Sequence, residues 1–292
     1  MRETVIAAMV LAAVLYCGAG FAQNAGGARI ESDVVYGHED GLALTMDVYR
    51  PEGEANGAAI LFMVSGGWFS RWAPPEQARP LFAPYLAKGY HVMAVRHGSS
   101  PRYTIPEAVA DVRRAVRFVR QNAERFGVDP ERLGVLGMSA GGHLALMLAT
   151  TGDDGVARSR DPIEKVPSRV AAAVALVPPT DLRVAVWESP ESLPAYRNFP
   201  ALDLEMKQAE EQSPVVHVTP DDAPALVIMG GKDELVPPKH GAWIAEAYEK
   251  EKTKHKLIVL PDAGHGLEGD ENRERVVRET VGWFEEHLQG ME

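Results

Sequence analysis

Cysteine is almost missing from this sequence. Cys17 is the only one in 292 residues, and it lies in a stretch that we predict below to be removed on export. A mature chain without thiols has neither disulfides nor a cysteine-ligated metal site. Stability must then come from a hydrophobic core, and 46% hydrophobic residues in a chain of this length are enough for one large α/β core.

Positive charge is also in short supply. The chain has 30 Lys and Arg against 41 Asp and Glu, a formal net charge of −11 at pH 7. Nucleic acid and anionic lipid are held by clusters of Lys and Arg, so we expect no nucleic-acid partner and no stable membrane anchor. A small, uncharged molecule is the expected substrate. The composition leaves the oligomeric state open.

The sequence has few long apolar runs, and the longest lies near its beginning. Arg2 precedes an uncharged apolar stretch from Val5 to Tyr16, which is too short to cross a membrane. Small residues follow, and Gly20-Phe21-Ala22 ends like a signal-peptidase site. We therefore predict a signal peptide over residues 1–22, cleaved after Ala22, and export to the periplasm or the extracellular space. A buried first helix is the alternative, but neither face of the stretch is polar.

Short apolar runs and helical patterns alternate along the remaining residues, 23–292, which we read as one domain. Such alternation implies a parallel sheet with helices on both faces and right-handed crossovers. We therefore predict an α/β fold with a mostly parallel central sheet flanked by helices. The predicted strands are 30–36, 42–49, 58–64, 90–95, 133–136, 171–177, 225–229 and 257–260, and the predicted helices include 81–88, 105–124, one after Ser139 and one ending near Leu288.

Two features interrupt this regular pattern. Between residues 183 and 213, prolines and aromatic residues replace the periodic runs, which predicts a small inserted cap over the edge of the sheet. In the predicted helix 105–124, four arginines lie opposite the apolar stripe, and we expect them to form a solvated face: Arg113, Arg114, Arg117 and Arg120.

One serine stands where a strand turns into a helix. An apolar run ends at Gly137, Ser139 follows, and helical periodicity resumes after Gly141 and Gly142. A bare Gly-x-Ser-x-Gly match is weak evidence in a chain with 27 glycines. Here the strand before and the helix after it indicate a sharp turn that raises the hydroxyl of Ser139 beside the helix N-terminus.

An acid and a base follow two later strands of the predicted sheet. Asp233 comes after the run ending at residue 229, and His265 after the run ending at residue 260. Loops that leave the carboxyl ends of parallel strands open on one edge, so Ser139, Asp233 and His265 are expected to meet. A serine hydroxyl needs a base of near-neutral pKa, and the base needs a carboxylate to hold its tautomer.

Other residues compete for these roles. Glu234 and Asp262 are alternative acids, and His143 is an alternative base that points along its helix, where packing is its expected role. No motif surrounds three further histidines, and we expect each to be an ordinary, partly exposed residue: His97, His217 and His240.

A glycine-rich turn follows the apolar run 58–64. In Ser65-Gly66-Gly67-Trp68-Phe69, glycines just past a central strand allow backbone N–H groups to point inward, as a developing oxyanion requires. A plain glycine turn is the alternative. Trp68, Phe69 and Trp72 are expected to wall the pocket, with core packing as the alternative for each. The sequence leaves open whether Trp68, Phe69 or the cap residues Trp187 and Tyr196 narrow it.

Together, residues 137–142, Asp233 and His265 resemble the nucleophile elbow and the Ser-Asp-His order of the α/β-hydrolase superfamily. Over residues 30–290 the chain is similar to hormone-sensitive-lipase-like esterases and to bacterial carbohydrate acetyl- and feruloyl-esterase-like proteins. The resemblance implies a triad of Ser139, Asp233 and His265. It also implies an oxyanion hole of the Gly67, Trp68 and Ala140 N–H groups, with Ser65 in place of the usual histidine.

The expected function is that of a secreted serine carboxylic-ester hydrolase acting on acetyl-type or aryl esters, with a small-molecule or carbohydrate ester as substrate. No metal and no organic cofactor is required. A peptidase or amidase, arylformamidases included, would use the same triad. A secreted binding protein that kept the fold without catalysis is the third alternative.

Overall fold

The computed structural model describes residues 29–187, 193 and 198–288. The predicted signal peptide, Cys17 and Tyr196 lie outside these residues. Eight strands form one sheet in the order β1-β2-β4-β3-β5-β6-β7-β8. They are β1 Arg29–Glu39, β2 Leu42–Arg50, β3 Ala59–Met63, β4 His91–Val95, β5 Leu133–Met138, β6 Ala172–Leu176, β7 Ala225–Gly230 and β8 His255–Leu260.

The sheet is antiparallel only at one end. Strand β2 pairs antiparallel with β1 and with β4, whereas every pairing from β4 through β8 is parallel. The predicted fold class, α/β with a mostly parallel sheet, is therefore confirmed. Because β5, β7 and β8 point the same way, the loops that follow them open on the same edge.

Helices cover both faces of the sheet and bury two hydrophobic cores. Helices α2, α4 and α7 pack on one face, and α1 and α8 on the other. The helices in chain order are α1 Pro75–Leu86, α2 Ile105–Gln121, α3 Ala123–Phe126, α4 Ala140–Thr150, α5 Arg183–Val186, α6 Met206–Glu211, α7 Lys239–Glu251 and α8 Asp270–Leu288. Short 3₁₀ turns occupy Ile163–Lys165, Pro200–Leu202 and Pro214–Val216.

Several elements are longer than their sequence patterns indicate. Strand β1 continues to Glu39, beyond the predicted end at residue 36, so only Asp40 and Gly41 form the turn before β2. Helix α1 begins at Pro75, because proline fits the first turn of a helix, where its missing N–H has no partner to lose. Strand β8 begins with polar residues because it is the edge strand and is partly exposed.

The arginine face of α2 is not solvated as we expected. Arg117 is 5% exposed and donates to the carboxylates of Asp153 and Glu164. Arg114 pairs with Asp161 at 2.5 Å. The loop between α4 and β6 folds back over α2 and supplies the carboxylates that pair with these arginines. Guanidinium groups are buried here because each one meets a carboxylate or a carbonyl oxygen.

The predicted cap, 183–213, is described only in part. Its described elements are α5, the 3₁₀ turn at Pro200–Leu202 and α6, and α5 packs against α6. Asp181 accepts hydrogen bonds from the backbone and guanidinium of Arg183, just before α5. Within the ranges described above, no helix is long and apolar enough to cross a membrane.

Candidate active site

Ser139 lies at the sharp turn between β5 and α4. Its φ of +55° is in the left-handed region, which a serine adopts only at a cost in strain. A Cβ on Gly137 would lie 2.1 Å from the carbonyl oxygen of Gly141, and one on Gly141 would lie 2.6 Å from the carbonyl oxygen of Met63. The two glycines are therefore required by close backbone approach. The turn presents the Ser139 hydroxyl beside the first turn of α4.

Three of the predicted site residues form one chain of hydrogen bonds. His265 Nε2 lies 3.0 Å from Ser139 Oγ, and His265 Nδ1 lies 2.7 Å from Asp233 Oδ2. The carboxylate accepts, so Nδ1 carries the proton and Nε2 offers its lone pair to the serine hydroxyl. The side chain of Asp233 is fully buried, whereas that of His265 is 25% exposed. The imidazole thus contacts a buried carboxylate and is itself partly exposed to solvent.

Backbone N–H groups hold the carboxylate in place. Asp233 Oδ1 accepts from the N–H groups of Leu235, at 2.9 Å, and Val236, at 2.8 Å, which leaves Oδ2 for His265. This turn fixes the acid before any substrate binds, an arrangement that saves reorganisation during a reaction.

Glu268 braces the loop that carries His265, and no sequence pattern had pointed to it. Its carboxylate accepts the N–H groups of Gly264, at 2.9 Å, and Gly266, at 3.0 Å, on either side of the histidine. Burial opposes ionisation of Glu268, but these hydrogen bonds and the nearby His265 outweigh it and hold the pKa of the Glu268 carboxyl below its usual value.

The rival acids lie elsewhere. Glu234 is exposed, and Asp262 pairs with Lys232 at 2.7 Å on the surface. Our expectation for two of the histidines was wrong, because His97 is 5% exposed and His240 is fully buried. His97 bonds a carbonyl oxygen within its own loop, and His240 accepts the N–H of Thr180. Both rings are part of the packed interior.

The glycine-rich loop after β3 forms a tight turn. Gly66 and Phe69 exchange two backbone hydrogen bonds of 3.0 Å, and between them Gly67 and Trp68 have φ of +59° and +57°. Among the described residues, no acceptor receives the backbone N–H of Gly67, Trp68 or Ala140. The predicted oxyanion-hole residues thus line one cavity with Ser139 and retain their N–H groups.

That cavity is small. Its volume is about 20 Å³, and apolar side chains close it, chiefly Phe199, Leu202, Leu235 and Val236. Phe199 lies over the loop, since a Cβ on Gly67 would be 2.6 Å from its ring. Of the aromatic residues expected to wall the pocket, Trp68 lines it, whereas Trp72 is 56% exposed and lies outside it. Trp187 of the cap, whose role the sequence left open, is 59% exposed and also lies outside it.

A second, open cavity of about 570 Å³ begins beside the same loop. Phe69 lines it together with β2 and the loop after β4, residues 97–103. Hydrogen bonds from Ser70 to Ser99 and from Ser100 to Trp68 join this wall to the glycine-rich turn. In the described part of the chain, no three His, Cys, Asp or Glu residues converge so as to hold a metal ion.

Known proteins are similar to this chain in sequence and in fold. The sequence model of the BD-FAE family matches residues 46–248. The chain is 32% identical over 213 residues to the probable carboxylic ester hydrolase LipM of Mycobacterium tuberculosis, a match to 71% of this chain and 49% of LipM. It is 28% identical to the esterase LipQ of the same organism, over 87% of this chain and 61% of LipQ.

The chain therefore spans less than two thirds of the length of either relative. Among solved structures, a thermophilic esterase of Thermogutta terrifontis superposes on it with a TM-score of 0.70 at 27% identity. That superposition covers 89% of this chain and 91% of the other.

Proposed function

This chain belongs to the BD-FAE family and has the α/β-hydrolase fold, and we propose that it is a serine hydrolase of carboxylic esters that acts through an acyl-enzyme. The observation that carries the proposal is the hydrogen-bonded chain from Ser139 through His265 to Asp233, with separations of 3.0 and 2.7 Å. It is the arrangement that lets an imidazole take the proton of a serine hydroxyl.

The proposed reaction runs in two balanced halves. Ser139 Oγ attacks the ester carbonyl while His265 Nε2 takes its proton, and the carbonyl oxygen becomes an oxyanion that accepts from the N–H groups of Gly67, Trp68 and Ala140. The C–O bond to the alcohol then breaks, and His265 returns the proton to the leaving oxygen. Water repeats the sequence on the acyl-enzyme and releases the acid. Buried Asp233 stabilises the imidazolium in both halves.

We propose a short acyl group, of the acetyl type. A cavity of only about 20 Å³ beside Ser139, closed by apolar side chains, supports this proposal because it leaves little room for a longer chain. An aryl group would have to lie on the alcohol side of the ester. We also propose that the enzyme is secreted, on the basis of the predicted signal peptide. A carbohydrate-linked ester as substrate is proposed from that export and from the resemblance to carbohydrate acetyl- and feruloyl-esterase-like proteins.

The test is hydrolysis of an activated acetyl ester by Ser139→Ala. We expect kcat to fall by about four to six powers of ten, because the nucleophile is lost. The matched control is Ser65→Ala, which removes a buried hydroxyl that bonds no described residue and leaves the triad intact. A fluorophosphonate should label the wild-type protein on Ser139 and leave Ser139→Ala unlabelled. Near wild-type turnover by Ser139→Ala would refute the proposal.

The same assays separate the alternatives. Comparing kcat/KM on an acetyl ester, a formamide and a peptide anilide distinguishes an esterase from an amidase. A wild-type protein that neither hydrolyses any of them nor reacts with the fluorophosphonate would favour the third alternative, a binding protein that kept the fold.

A further inference from the structure

One buried histidine takes no part in the proposed reaction. His143 lies on α4, one turn after Ser139, and its backbone N–H donates to the Ser139 carbonyl oxygen at 2.9 Å. The side chain is fully buried, and its ring meets that of Trp68 edge-on, with 5.3 Å between the ring centroids. A polar ring at such a position needs a partner for each nitrogen.

Both ring nitrogens of His143 have partners of fixed polarity. The indole N–H of Trp68, which can only donate, points to Nδ1 at 3.1 Å. The carbonyl oxygen of Gln212, which can only accept, lies 2.7 Å from Nε2. These partners select the neutral tautomer with its proton on Nε2. Burial, the larger effect, outweighs the Gln212 hydrogen bond and lowers the pKa of His143 to about 4, in keeping with that tautomer.

The Trp68–His143 hydrogen bond joins His143 to the loop after β3, which carries two of the three oxyanion donors. Trp68 has a φ of +57°, which is strained for a bulky residue and persists only when surrounding contacts hold it. The described residues give no partner to the buried hydroxyl of Ser65, so the residue that replaces the usual histidine does not fasten the loop through its side chain. The backbone carbonyl of Trp68 accepts from Ser100 at 3.0 Å, and its side chain bonds His143.

We propose that His143 is a positioning residue for the oxyanion hole: by accepting the indole N–H of Trp68, it holds the Gly67 and Trp68 backbone N–H groups against the helix that presents Ser139. The inference rests on the proposed function and assigns His143 a task within it. Ser139 and the Ala140 donor lie at the start of α4, whereas the Gly67 and Trp68 donors lie on the loop after β3. The Trp68–His143 bond is a direct side-chain link between these two elements.

Loss of this link should weaken stabilisation of the transition state more than binding of the ester. Removing one oxyanion donor altogether typically costs about 10²- to 10³-fold in kcat. A donor that is displaced but still present should cost less, so we expect His143→Leu to lower kcat about 10- to 100-fold with KM changed by no more than about twofold. Leucine fills most of the volume and removes both hydrogen bonds.

Four further variants make the test specific. His143→Gln offers an acceptor to Trp68 and a donor to Gln212, and we expect it to recover most of the lost kcat. Trp68→Phe keeps the ring and removes the indole N–H, so it should lower kcat as His143→Leu does. Because His143→Leu and Trp68→Phe break the same hydrogen bond, the variant that combines them should have a kcat no lower than that of the slower single variant. Val116→Ala, in the same core cluster but on α2, controls for lost stability alone and should leave kcat unchanged.

A second readout does not depend on turnover. The chain has five tryptophans, and the Trp68 indole N–H resonance is identified as the one missing from Trp68→Phe. In the wild type it should lie downfield and exchange slowly. In His143→Leu it should shift upfield and exchange faster, and in His143→Gln it should remain near its wild-type position.

The outcomes separate this inference from the proposed function. If the wild-type protein hydrolyses esters and a folded His143→Leu has the same kcat, the positioning role is overturned and the esterase proposal stands. The same holds if the effects of His143→Leu and Trp68→Phe on kcat multiply in the double variant. A wild-type protein that neither hydrolyses esters nor reacts with a fluorophosphonate would overturn both. The positioning role is supported if His143→Leu lowers kcat, His143→Gln recovers most of that loss, and the Trp68 indole resonance shifts as described.

Discussion

The two halves of the site are held in place in different ways. The side-chain half, Ser139, Asp233 and His265, stands on loops that directly follow β5, β7 and β8, and each is fixed by hydrogen bonds or close contacts within a few residues. The backbone half, Gly67 and Trp68, is held by contacts from distant parts of the chain, His143, Phe199 and Ser100 among them. Local sequence therefore specifies the first half, and tertiary packing the second.

This difference gives the largest expected effect to the side-chain half. In Asp233→Asn, the amide keeps the shape but no longer stabilises the imidazolium or the correct tautomer, so kcat should fall about 10⁴-fold. The matched control is Glu234→Gln, which changes the neighbouring, exposed carboxylate and should leave kcat unchanged. If Glu234→Gln lowered kcat as much as Asp233→Asn, the assignment of the acid would be wrong.

A smaller loss is expected from the backbone half. Gly67→Ala places a Cβ at φ +59° and 2.6 Å from the Phe199 ring, so the turn must shift and carry its N–H groups with it. We expect kcat to fall about 10²-fold. Gly41→Ala is the matched control, because its φ of +77° imposes similar strain in the β1–β2 hairpin with no atom within 4 Å. Both variants should lose about 1 kcal/mol of stability; equal kcat values in the two would mean that the Gly67 turn is not part of the site.

The same difference explains how much could be predicted from the sequence. The strands and the elbow follow from short patterns, as does the convergence of Ser139, Asp233 and His265, because a parallel sheet brings successive loops to one edge. The residues that hold Trp68 and close the cavity could not be predicted. His143 and Trp68 are 75 positions apart, and Phe199 belongs to a segment without periodicity.

Burial of polar groups was missed for the same reason. Arg117 has the helical position of a solvated residue and is buried only because a loop without regular structure folds over it. No local pattern marks that loop as a partner.

Selectivity for the acyl chain should depend on Phe199, which packs on the backbone half although it is far from Gly67 in the sequence. Phe199→Ala should enlarge the cavity beside Ser139 and raise kcat/KM for a butyryl ester relative to an acetyl ester about tenfold, near the lower end of what added methylenes contribute in an apolar pocket. The assay is the ratio of the two kcat/KM values. Phe69→Ala, which trims the wall of the other cavity, should leave this ratio unchanged, and a constant ratio in Phe199→Ala would show that Phe199 does not limit the acyl group.

The smallest effect concerns the support beneath the backbone half. Asp111 accepts the N–H of Gly98 at 2.8 Å, in the loop whose Ser100 donates to Trp68. Burial, followed by the charge of Asp111, raises the pKa of Glu39 to about 7, and burial raises that of Asp111 to about 6. A carboxyl whose pKa is raised on folding binds its proton more tightly in the folded state. Its contribution to stability is therefore full below pH 4.5, the ordinary value for Glu39, and is lost as the pH rises to about 7.

Glu39→Gln removes that loss, since the amide carries no proton to release. Between pH 5 and pH 8 we expect the free energy of unfolding to fall more steeply in the wild type than in Glu39→Gln, by an amount on the order of 1 kcal/mol because water screens this partly exposed pair. Buried histidines with lowered pKa, such as His97 and His143, contribute with the opposite sign. The measurement is therefore the difference between the two profiles of unfolding free energy against pH, not either profile alone.

The control is Glu54→Gln, at an exposed position, which should keep the wild-type slope. Parallel profiles for Glu39→Gln and wild type would mean that the carboxyl pair does not couple pH to the loop beneath Trp68.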